Sequence, residues 1–108
     1  MINKYFFTVL FSAILYTGLS AQVFVKHDAD GDNDGSSWQD ALGSIQAAID
    51  LAAPGDTIYV GQGHYSEAIQ LSTGINVLGG YRGISGIPGE RNPGEYPSII
   101  DASQVDAG

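Results

Sequence analysis

Pro54-Gly55-Asp56-Thr57-Ile58-Tyr59-Val60-Gly61-Gln62-Gly63-His64-Tyr65-Ser66-Glu67 is the most strongly punctuated stretch of the chain. Pro54-Gly55-Asp56 is turn chemistry, because proline presets one dihedral and glycine accepts a positive one. Thr57 to Val60 then alternates, which puts Ile58 and Val60 on one face of a strand and Thr57 and Tyr59 on the other. Gly61, Gly63 and Tyr65 end that strand, turn the chain and start another.

The residues before this stretch read as a cap. Ser37 is positioned to begin a helix, with Asp40 three residues on where a capping box wants an acid. Trp38, Leu42, Ile45, Ile49 and Ala52 recur at three- and four-residue spacing, so a helix is expected over Ser37–Ala53. Pro54-Gly55 stops it. Ahead of the helix, Gln22–His27 reads as a strand with Val23 and Val25 opposite Phe24 and Lys26. Between the two lies the acidic, glycine-rich loop Asp28–Gly35.

After the stretch, short apolar strands return. They are expected at Ala68–Leu71, with Ile69 and Leu71 inward, at Ile75–Leu78, and at Ser98–Asp101. Glycine turns at Gly61-Gln62-Gly63, Ser72-Thr73-Gly74 and Gly79-Gly80 separate them. Arg82–Pro97, with Pro88, Pro93 and Pro97, reads as a loop without regular structure. A recurrence of roughly 20 residues suggests stacked solenoid coils, and a small sandwich gives similar spacings.

The chain has 108 residues and no cysteine. Met1–Lys4 is a short positive start, Tyr5–Tyr16 is apolar, and Thr17–Ala21 is mostly small. Residues 1–21 therefore read as a secretory signal peptide cleaved after Ala21. The apolar run falls short of the ~20 residues that span a bilayer, so no transmembrane span is expected after cleavage. An exported chain without disulfides relies on core packing, metal or repetition. Beyond Ala21 three cations, Lys26, Arg82 and Arg91, face all twelve acids, a net charge of −9. Such a surface repels phosphate, which argues against nucleic acid and anionic membrane as partners.

Taken in order, Val23-Phe24-Val25-Lys26, Asp34-Gly35-Ser36-Ser37-Trp38, Ile45–Asp50 and Pro54–Val60 with Gly63 and Tyr65 resemble the amino-terminal end of bacterial proteins of the pectin-lyase-like superfamily. Val77–Tyr81 and Ser98–Asp101 are similar to that family's next coils. The resemblance implies an all-β solenoid, a right-handed parallel β-helix. Residues 22–53 would form its cap of strand, loop and helix, and residues 54–108 its first two or three coils. It also implies continuation beyond Gly108, so a truncated product or fragment is expected. The family includes polysaccharide lyases, hydrolases and adhesins, and no catalytic residue of theirs is matched by a residue here. The function expected is a secreted or cell-surface structural, adhesive or carbohydrate-interacting role, with polysaccharide or surface glycans as partners. The alternative is the start of a polysaccharide lyase or glycoside hydrolase whose catalytic residues lie downstream.

One motif points to a cofactor. Asp30, Asp32, Asp34 and Gly35 reproduce the opening of a calcium loop, in which alternating carboxylates converge on a hard cation. Counted from Asp30, the twelfth position, where a bidentate acid is required, is Ala41, and Asp40 comes one residue early. A calcium-binding extracellular module is thus a further alternative, against a plain solvated loop. His27 and His64 have no ligand-spaced partner and read as surface residues. Tyr59 reads as an outward strand residue and Tyr65 as an anchor that closes the coil.

Overall fold

A computed structural model describes residues 20–103. The expected signal peptide lies outside the described residues, apart from Ser20 and Ala21. Among the described residues five strands and one helix occur in order: β1 (Gln22–Val25), α1 (Ile45–Leu51), β2 (Thr57–Gly61), β3 (Gly63–Tyr65), β4 (Asn76–Tyr81) and β5 (Ser98–Ile100).

Every strand pairing is parallel. One sheet runs β1-β2-β4 and the other pairs β3 with β5. Gln22 lies opposite Thr57 and Thr57 opposite Asn76, while Gly63 lies opposite Ser98. A single residue, Gln62, separates β2 from β3, so the chain turns a corner from the first sheet to the second. The next coil makes the same transfer from β4 to β5 through Arg82–Pro97. The two sheets adjoin at these corners and do not close on each other. Parallel strands need long crossovers; α1 and its flanking loops supply the first, between β1 and β2.

β1 and β2 are covered on both faces, as strands of parallel sheets usually are, whereas Leu78 of β4 is 39 % exposed. On the inner face Val23, Val25, Ile58 and Val60 pack with Ile45, Ala48 and Ile49 of α1 and with Tyr65. On the outer face Phe24 packs with Trp38, Ala41 and Tyr81, and Tyr59 joins them half-buried. Phe24 and Trp38 meet edge-on with ring centres 4.8 Å apart, and Tyr59 and Tyr81 do so at 5.2 Å. Such aromatic geometry adds roughly 0.5–1.5 kcal/mol per pair beyond burial.

The helix is shorter than its apolar spacing predicts. α1 begins after Ser44, whose backbone is extended and whose Oγ accepts from the Ala47 N–H at 3.2 Å. Ser37 and Asp40 do make a contact of the capping-box kind, with the Asp40 N–H donating to Ser37 Oγ at 3.1 Å. The turn does not propagate, because Leu42 bridges to Val25 in parallel. The Leu42 N–H donates to the Phe24 carbonyl, and the Lys26 N–H to the Leu42 carbonyl, both at 2.9 Å. Trp38 and Ala41 belong to the outer cluster, and Ile45 and Ile49 to the inner one. No single straight helix could pack on both sides of β1.

Three further expectations are corrected. Ala68–Leu71 is not a strand. Its place beside α1 is held by the Gln46 side chain, whose Oε1 accepts from the Gln70 N–H at 2.7 Å and whose Nε2 donates to the Gln70 carbonyl at 3.4 Å. Ile69 does pack on the core, but Leu71 is 65 % exposed. Gly79-Gly80 lies within β4 instead of ending it. Gly80, at φ 84°, forms an irregularity in the pairing with β2, and a Cβ there would come 2.7 Å from Pro93 Cγ. Ile99 pairs with His64 in the second sheet, so the recurrence expected from the apolar strands mixes strands of two sheets.

Candidate functional site

The carboxyl ends of β1, β2 and β4 lie side by side, and the residues just past each strand line a cavity of about 400 Å³. Lys26, His27 and Asp28 come from the end of β1, Gln62 and Gly63 from the corner after β2, and Arg82 and Ile84 from the loop after β4. Parallel pairing is the reason these residues converge: strands that run the same way deliver their exits to the same edge.

The backbone is bare on this side. A Cβ on Gly63 (φ 142°) would come 2.6 Å from His27 Nδ1, and one on buried Gly83 (φ 77°) would lie 3.4 Å from the Gly61 Cα. The His27 ring sits edge-on to Tyr65 with ring centres 5.9 Å apart. Gln62 Nε2 donates to the Arg82 carbonyl at 3.3 Å, tying one coil to the next. Arg82 Nη1 is 3.9 Å from Glu90 Oε1, with both side chains more than half exposed, a pairing worth little in water. Among the described residues, Lys26 has no carboxylate within ion-pair distance.

The other candidates have structural surroundings. Tyr65 is buried, and its hydroxyl donates to the Gly61 carbonyl at 2.8 Å. Burial above all pushes its pKa up to about 12. It anchors the corner at Gln62, as its position in the sequence suggests. His64 is exposed on β3. Arg91 donates from Nε to the Gly79 carbonyl at 2.8 Å, and its guanidinium lies 5.8 Å from the centre of the Tyr81 ring.

Asp30, Asp32 and Asp34 are all exposed, on a loop folded around Asp40. The Asp40 Oδ1 accepts from the Asp32 N–H at 2.8 Å, and the Asp40 carbonyl accepts from the N–H groups of Asp34 and Gly35 at 2.9 and 2.8 Å. Asp34 Oδ1 accepts from the Ser36 hydroxyl at 2.7 Å and the Ser36 N–H at 3.0 Å. The Ser36 hydroxyl, and then its amide, hold the Asp34 pKa below the ordinary carboxylate value. Among the described residues, no three His, Cys, Asp or Glu side chains stand close enough to hold a metal ion.

Two carboxylates that motif reading leaves out organise the cap. Glu67 Oε2 accepts from the Ile45 N–H at 2.9 Å, and its Oε1 from the Gln46 N–H and the Ser44 hydroxyl, each at 3.0 Å. It closes the start of α1 from the far side of the first coil. Asp56 is buried; its Oδ2 accepts from the Ala53 N–H at 2.9 Å and its Oδ1 from the Ala21 N–H at 2.8 Å. Those amides, Ala53 first, hold its pKa below the ordinary value. The position of Asp56 after Pro54-Gly55 is the signal for its turn; its bond to Ala21 has no local trace.

The chain is similar to the pectate lyase PEL9 of Emericella nidulans, at 38 % identity over 103 residues. That alignment covers 87 % of this chain and 24 % of the relative, so the chain spans about a quarter of that protein's length. No protein family profile matches the chain, and no solved structure matches it.

Proposed function

We propose that the chain is the amino-terminal cap and first coils of an exported right-handed parallel β-helix protein that acts on acidic polysaccharide. The observation that carries this reading is the all-parallel stacking of β1-β2-β4 beside β3-β5, with α1 laid against the inner face of the first strands. The likeness to a pectate lyase supports the substrate class and supports secretion. In this reading residues 1–21 direct export, residues 22–53 form the cap, and residues 54–108 begin the helix. Bond cleavage belongs to coils beyond these residues.

Capping has a physical basis. The first strand of a parallel stack presents unpaired N–H and C=O groups and an apolar end, which invite association with other chains. Terminal units with a polar outer face prevent this in solenoids. α1 buries Ile45, Ala48 and Ile49, and its outer side mixes Asp50 with the apolar Ala47 and Leu51.

The test is release of new reducing ends from polygalacturonate by the full secreted protein of which, in this reading, these residues are the amino-terminal part. Cleavage is the expected result. Binding to the polymer without cleavage would return the protein to an adhesive or structural surface role, and neither binding nor cleavage would overturn the polysaccharide reading.

A further inference from the structure

We infer that the cavity at the carboxyl ends of β1, β2 and β4 is an anion-binding site that holds the carboxylate of an acidic sugar unit. It would be an anchoring site at the capped end, separate from any bond-breaking chemistry. The inference rests on the polysaccharide reading above and assigns a place to the contact.

Charge is the first argument. Beyond Ala21 the chain carries twelve acids and only three permanent cations, and two of those three, Lys26 and Arg82, line this one cavity. Neither is used up by the fold. Lys26 has no ion-pair partner among the described residues, and Arg82 reaches Glu90 only at 3.9 Å on the surface. Arg91, by contrast, is committed to the Gly79 carbonyl and the Tyr81 ring. A carboxylate between an ammonium and a guanidinium gains charge-assisted hydrogen bonds.

Shape is the second. Gly63 leaves its part of the lining without a side chain, and a Cβ there would fill part of the space against His27. About 400 Å³ falls within the range of small-ligand pockets. Ile84, 61 % exposed, supplies an apolar rim that can lie against the C–H face of a sugar ring. One group opposes an anion: Asp28 lines the same cavity, 3.8 Å from His27 Nδ1 and 63 % exposed. It is about as exposed as Arg82, 63 % against 53 %, so it offsets part of the attraction, and Lys26 and Arg82 against Asp28 leave one net positive charge.

The experiment titrates the secreted protein with an oligogalacturonate and with a neutral galactose oligomer of equal length, by calorimetry. Expected are saturable binding of the acidic oligomer and none of the neutral one. The Lys26→Gln/Arg82→Gln double variant should weaken binding by about tenfold or more, with an unchanged melting temperature. Asp28→Asn should tighten it by about two- to threefold, which no loss of folding can imitate. Unchanged affinity in both variants would overturn the site while leaving the polysaccharide reading intact. Absence of binding by the unsubstituted protein would overturn the site. Loss of cleavage with this binding preserved would strike the functional reading and leave the site standing.

Discussion

Asp56 carries more of the structure than its single side chain suggests. Its carboxylate binds the Ala53 and Ala21 amides, and its carbonyl accepts from the Asn76 N–H at 3.1 Å. One residue thus joins the exit of α1, the start of β1 and the start of β4. In the protein cleaved after Ala21 the Ala53 amide keeps this acceptor, and replacing Asp56 with alanine leaves that amide unpaired, so a loss of about 1–3 kcal/mol is expected in a urea titration. The pH dependence has a definite sign. Its folded pKa lies below the ordinary 3.8, so its contribution is present above about pH 4 and is lost as pH falls through the lower folded value. Asp56→Asn should therefore flatten the acid limb of stability below about pH 4, measured by circular dichroism. At Tyr65, phenylalanine removes a hydroxyl whose acceptor, the Gly61 carbonyl, also receives the Ser98 hydroxyl at 2.9 Å. The acceptor keeps a partner, so Tyr65→Phe should cost only about 0.5–1.5 kcal/mol in the same titration.

Among the elements, α1 shows how two parts of the chain complete one structure. Ser44 and Glu67 both satisfy its first amides, and they also bond each other at 3.0 Å. Each alanine substitution should cost about 1 kcal/mol. The double substitution should cost less than the sum, because each single change already breaks the shared bond; thermal melts of the three variants measure the coupling. The same helix separates what is legible in the sequence from what is not. The Ile45, Ile49 and Ala52 part of the stripe is legible, because helical spacing is a local property. The expected start at Ser37 fails because Leu42 finds its partner in β1, and no local pattern encodes that bridge. β2 and β4 are legible for the same local reason, whereas Ala68–Leu71 carries strand residues yet is bonded by the Gln46 side chain instead of a strand. The cavity lining is hidden: Lys26, Gln62 and Arg82 are distant in sequence and meet only through parallel register.

From one end of the stack to the other, the protection of the strands differs. At the β1 end α1 covers the apolar stack, while at the β5 end Ile99 and Ile100 are each 45 % exposed. Two adjacent exposed isoleucines on a parallel strand invite pairing with another chain. The isolated segment 22–108 should therefore self-associate, and Ile99→Lys should reduce that association in sedimentation velocity. A sharp cooperative transition from a monomer of the isolated segment would contradict this.

The remote bond between Glu67 and α1 also sets an order in time. As the chain emerges amino end first, β1 has only its bonds to Gly35 and Leu42 until Thr57 appears, and α1 lacks its second cap until Glu67 appears. The segment that is made first is thus completed only by residues made later. Before Glu67 emerges, the cap is a strand and a seven-residue helix, too short to hold itself in water. Completion of the cap therefore draws on β2, on β3 and on Glu67, so the lid is fitted by the strands it closes.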